Sequence, residues 1–105
     1  MDPNSPLPDI EQIIETLEIL KTAVFAGNGE KGYEAVTVLL LQFIETFGHD
    51  QSFMRKTFPL LDEMKNCVQA GNFEDAVPMV LGFLAKFRAI RDVIVATGAY
   101  KGNGR

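Results

Sequence analysis

Few residues in this chain of 105 could do chemistry, and each of them stands alone. His49 is the single histidine, and Asp50 follows it. Such a pair could form half of a catalytic site or accept a phosphoryl group. A helical phosphotransfer domain carries its histidine within a helix, whereas FGHDQS at 47–52 follows a glycine and reads as a loop or an N-cap. Cys67 is the single cysteine, so no intrachain disulfide and no cysteine-based metal cluster can form. No obvious neighbour would lower its pKa, and a small apolar interior role is expected for it. The Glu-x-x-His pairs of a di-metal bundle are missing. GNGEKG at 27–32 is rich in glycine, but no strand pattern precedes it and no Gly-Lys-Ser/Thr follows. The expectation is a chain without catalysis, cofactor or metal. A phosphotransfer domain that depends on His49 is the outlying alternative.

The elements that would hold any site are helices. At 47% hydrophobic and 23% charged, the chain can bury a core of its own, and its length suits a single domain over 1–105. The net charge of −4 argues against nucleic acid, which rewards clustered Lys and Arg. The charge is uneven. Residues 1–50 carry nine acids and two bases, and residues 51–105 carry five acids and eight bases. That asymmetry suits the alignment of two halves or two copies, or simply two solvated faces. The apolar run VLLL is far too short for a membrane span. The start MDPNSPLPD lacks the basic and apolar parts of a signal peptide. With its lone cysteine, the chain is expected in the cytoplasm.

The spacing predicts four helices and no strand. Residues 1–8 hold three prolines and read as an extended arm. Asp9 is the expected N-cap of the first helix, with Gln12 as its capping-box partner. Ile10, Ile13, Ile14, Leu17, Leu20 and Val24 then follow helical spacing, with Glu11, Glu15 and Glu18 as a solvated stripe. Gly27 and Asn28 stop this helix, and a second runs from about Gly32 to Phe47, where Gly48 ends it. For the third, Pro59 allows one kinked helix or a fresh start with Thr57 as N-cap. The fresh start is preferred, because proline is tolerated in a first turn. Gly71 and Asn72 stop the third helix, and the fourth runs from about Phe73 to Ala96. Gly98 is its expected C-cap, and 98–105 read as a flexible tail. The fold class is all-α, a four-helix antiparallel bundle or two stacked helical hairpins.

The chain repeats itself. Residues 14–28 align with 58–72 and 33–47 with 73–87, with ten of thirty positions identical. Ala-Gly-Asn stands at 26–28 and again at 70–72, and Phe43 and Phe47 align with Phe83 and Phe87. Two copies of one hairpin could each bury what the other leaves bare, with the four Phe in one core. QAGNFEDAV at 69–77 resembles the inter-helix turn of tetratricopeptide repeats, and AGNGEKGYEAV at 26–36 does so less closely. That family repeats at about 34 residues, a shorter period than the one found here. The resemblance implies a scaffold that binds peptides or helices. In size, acidity and helical make-up the chain is also similar to small chaperones of bacterial secretion and flagellar export.

The remaining signal is apolar surplus. The second helix has a broad apolar arc centred on Tyr33, Val36, Leu40, Phe43, Ile44 and Phe47, with Leu39 and Leu41 flanking it and Val38 on the polar side. Opposite its apolar face the fourth helix carries Pro78, Gly82, Ala85 and Ala89 where charge would be expected. Small residues there would let another helix approach closely. The reading is a non-catalytic helical protein–protein interaction module, an adaptor or an export-type chaperone. The alternative is a self-associating structural or regulatory subunit. The partner is another protein or the chain itself in a homodimer, meeting the small-residue face of the fourth helix, with Val38 and Leu41 as the next surface.

Overall fold

A computed structural model describes residues 7–97 as four α-helices. They are α1 (Leu7–Phe25), α2 (Gly29–Phe47), α3 (Gln51–Gln69) and α4 (Phe73–Thr97), and no strand occurs among the described residues. The connections hold three residues each, so consecutive helices run antiparallel. Each helix packs on two neighbours, α1 with α2 and α4, and α3 with α2 and α4. The result is an up-down-up-down ring of four seams, in which the α3–α4 seam is the thinnest.

The two Ala-Gly-Asn stops work alike. The Gly27 amide donates to the Val24 carbonyl, and the Asn28 amide donates to that of Ala23. The Gly71 amide likewise donates to Val68, and Asn72 donates to Cys67. These bonds use carbonyls that a helix end would leave unpaired, and they require a left-handed residue between them. Gly27 at φ 69° and Gly71 at φ 79° supply it. A Cβ at Gly71 would meet nothing within 4 Å, so an alanine there would strain only the backbone. Gly71→Ala should therefore lower stability by about 1 kcal/mol, read as a shift of the urea midpoint. An unchanged midpoint would mean that the turn tolerates another conformation.

Several boundaries differ from those expected. Leu7 and Pro8 already belong to α1, and Asp9 sits in its first turn instead of capping it. A carboxylate there still complements the positive end of the helix dipole. Residues 1–6 and 98–105, and with them the expected C-cap Gly98, lie outside the described residues. The second helix begins at Gly29, three residues earlier than its pattern suggests, because Asn28 does two jobs. It closes α1 through its amide, and its side chain accepts from the Lys31 amide at 3.1 Å to open α2. The third helix does not restart at Thr57. It runs unbroken through Pro59, capped at its start by Asp50, whose carboxylate accepts from the Phe53 amide at 3.0 Å. Thr57, Leu61, Met64 and Val68 are all buried on one stripe, and that continuous packing outweighs the backbone bond lost at the proline.

The core joins Ile10, Ile13, Leu17 and Leu20 of α1 to Val36, Leu39 and Phe43 of α2, with Leu61 and Met64 of α3 and Val80 and Phe87 of α4. The buried arc of α2 is Gly32, Ala35, Val36, Leu39 and Phe43, so Leu39 lies at its centre while Tyr33 and Ile44 are exposed. Size explains the rotation. A Cβ at Gly32 would come within 3.0 Å of Val68 and 3.9 Å of Ala23, so α2 turns its small residues to where neighbours come nearest. Phe43, Phe47, Phe83 and Phe87 do meet in one aromatic cluster, but not as equivalents. The helices of the two hairpins begin 44 residues apart, at Leu7 and Gln51 and at Gly29 and Phe73. Phe43 thus corresponds in space to Phe87, one turn beyond its sequence match Phe83.

Candidate interaction surfaces

The isolated reactive residues stay isolated. His49 is exposed in the turn between α2 and α3, and Asp50 beside it is engaged in capping α3. Cys67 is half-buried on α3. Burial pushes its thiol up from the ordinary range, and the Asp75 and Glu63 carboxylates add to the effect. Its thiolate is thereby disfavoured rather than poised. No cluster of three or more His, Cys, Asp or Glu that could hold a metal occurs among the described residues.

The acidic stripe of α1 is not wholly solvated. Glu11 and Glu15 are exposed, but the Glu18 carboxylate pairs with Lys21 at 3.0 Å and accepts from the Arg88 guanidinium across the α1–α4 seam. The bond from Lys21, followed by that from Arg88, outweighs partial burial and holds this carboxyl below its usual range. Part of the charge asymmetry between the two halves of the chain is thus met by a pair across the α1–α4 seam.

Apolar surface remains on two opposite seams. Along α1–α2, two adjoining hollows of about 340 and 120 Å³ share Ile19 and Lys31. Ala23 and Ala35 help line them, Val38 closes one end, and Lys31 and Glu34 stand among them. Leu41, 57% exposed, lies outside their lining, one turn beyond Val38 on α2. Along α3–α4 a groove of about 280 Å³ is lined by Leu60, Pro78, Met79, Gly82, Phe83 and Lys86. Leu60 is half exposed there, and the Lys86 ammonium lies 5.4 Å from the centre of the Phe53 ring. Further along α4, Ala89, Ile90, Val93 and Ile94 line a shallow apolar hollow.

The six surface residues singled out by sequence therefore fall on more than one surface. Val38 lines the α1–α2 hollow, and Leu41 is exposed one turn further along α2. Pro78 and Gly82 line the α3–α4 groove, and a Cβ at Gly82 would meet nothing within 4 Å. Ala85 is exposed on the same helix, and Ala89 joins the hollow beyond it. Sequence reasoning missed Ile19, Leu60, Met79 and Lys86. Ile19 was visible as an apolar residue off the buried stripe of α1, and Leu60 was hidden by the supposed restart at Pro59.

Comparison with family models, with curated proteins and with solved structures finds no match for this chain. No helix among the described residues is long and apolar enough to cross a membrane.

Proposed function

We propose that the protein is a non-catalytic helical interaction module, an adaptor or an export-type chaperone, whose α1–α2 groove receives an apolar segment of a protein partner. The observation that carries this reading is the groove itself. Ile19, Val38 and Leu41 stay exposed on a bundle whose core is already filled by other residues. Exposed apolar residues gathered in one patch, with charged neighbours such as Lys31 and Glu34, are what a protein docking site requires. The inter-helix turn that resembles tetratricopeptide repeats, a scaffold of peptide binding, agrees with the same reading. The single, half-buried cysteine suits work in the cytoplasm.

The double variant Val38→Glu, Leu41→Glu tests it. Both positions are exposed, so the fold should survive, as a thermal melt would show. In affinity capture from the native cell, proteins retained by the wild type should fall about tenfold or more with the variant, the loss expected when central apolar contacts are replaced by charge. Equal retention of the same proteins by both forms would remove the groove from the interaction.

A further inference from the structure

The α3–α4 groove has charges at both ends, and their order is specific. At one end stands Lys86, with Lys56 on α3 one turn from Leu60. Towards the other stand Asp75, one turn before Met79 on α4, whose carboxylate also accepts from the Asn72 side-chain amide at 2.8 Å, and Glu63, one turn after Leu60 on α3. All four charged side chains are exposed. The middle is apolar and low, with Leu60, Met79 and Gly82.

From this order we infer that a second copy of the chain occupies the α3–α4 groove, related by a two-fold axis that crosses the helices at right angles. The inference rests on the reading of the protein as an interaction module and names the partner for the face opposite the α1–α2 groove. Asp75, Met79, Gly82 and Lys86 follow one another at intervals of four, three and four, which read the same in both directions. Reversing one copy against the other therefore carries Lys86 onto Asp75 of the second copy and Gly82 onto Met79. Because α3 and α4 form one tight hairpin, the same rotation brings Lys56 within about a turn of Glu63 of the second copy. Lys86 thus meets Asp75 twice over, and Lys56 approaches Glu63, as a self-complementary two-fold patch demands. A two-fold axis along the helices would instead keep like charges level with one another, Lys86 with Lys86 and Lys56, and Asp75 with Asp75. The open space at Gly82 leaves room for the Met79 side chain of the second copy. A peptide of one charge sign would satisfy one end of the groove and oppose the other.

Charge swapping tests this arrangement. Lys86→Glu and Asp75→Lys each create like charges across the axis, and the two together restore opposite ones. Molar mass is measured by sedimentation over a wide range of concentration, with far-UV circular dichroism and thermal melts confirming that each variant folds. The wild type should be a dimer. Each single variant should raise the dimer dissociation constant about tenfold or more, and the double variant should return to within about threefold of the wild type. A monomeric wild type would overturn the inference while leaving the α1–α2 groove untouched. Single variants that dimerise as the wild type does, or a double variant as weak as both singles combined, would also overturn it by placing the dimer contact elsewhere. Capture lost on Val38→Glu, Leu41→Glu with the dimer intact would separate the two surfaces.

Discussion

Replacing Phe43 with Ala should cost about 3–5 kcal/mol of stability, the upper range for truncating one buried side chain. Phe43 is fully buried, and its ring is the hub of the aromatic cluster. It meets Phe87 edge-on at 5.3 Å, Phe83 edge-on at 6.0 Å, Phe47 at 5.7 Å and Phe53 at 6.3 Å. Those partners come from α2, α3 and α4, so the cavity left by alanine would open between three helices and could not be closed by a local shift. Edge-to-face pairs add to area burial, which holds the expected loss within that range rather than below it. With a small domain holding about 5–15 kcal/mol in all, the variant would be close to unfolding. Urea denaturation followed by helical signal measures the difference. A loss under about 1 kcal/mol would mean that the cluster is not the centre of the fold.

The opposite sign is expected at Pro59. This residue is exposed in the interior of α3 and has no amide hydrogen to give to the carbonyl one turn before it. Pro59→Ala would supply that hydrogen bond and remove the ring from the preceding turn, without touching the buried stripe of Thr57, Leu61 and Met64. A proline inside a helix is about 3 kcal/mol worse than alanine, part of which the native chain has already relieved by local adjustment. A gain of about 1–3 kcal/mol is therefore expected. Thermal melts of the two proteins at equal concentration would show it. A variant melting at or below the wild-type temperature would mean that the proline fixes a geometry that the packing of α3 needs.

That proline also marks where the sequence was hardest to read. Local rules gave the helix count and both Gly-Asn stops, because a left-handed glycine with an amide behind it is decided within a few residues. They failed where tertiary packing overrides local preference. Pro59 argues for a break, and only the burial of Thr57 and Leu61 against the other helices argues against it. On α2, hydrophobicity alone favoured Tyr33 and Ile44, whereas the close approach to Ala23 and Val68 favoured Gly32 and Ala35. The repeat was legible as two hairpins, but its second half was aligned one turn short, since matching Phe to Phe ignores which turn of the helix meets the core. On the candidate surfaces, Val38, Pro78 and Gly82 could be found because each breaks the pattern of its own face. Lys86 could not, because its place beside the groove and near the Phe53 ring comes from the packing of α3 on α4.

The ring of seams has a kinetic consequence. Three of its four seams join helices that are neighbours in the chain and are separated by three residues. Such contacts close small loops, cost little chain entropy and form fast. The fourth seam, α1 with α4, is different in kind. Its Glu18–Arg88 pair joins residues 70 apart. Until α4 reaches α1, the chain is an open row of helices with one side of α1 and one side of α4 bare to water. The return of the last helix to the first is thus the one search over long distance in an otherwise local fold, and the step at which the chain stays longest exposed to a wrong partner.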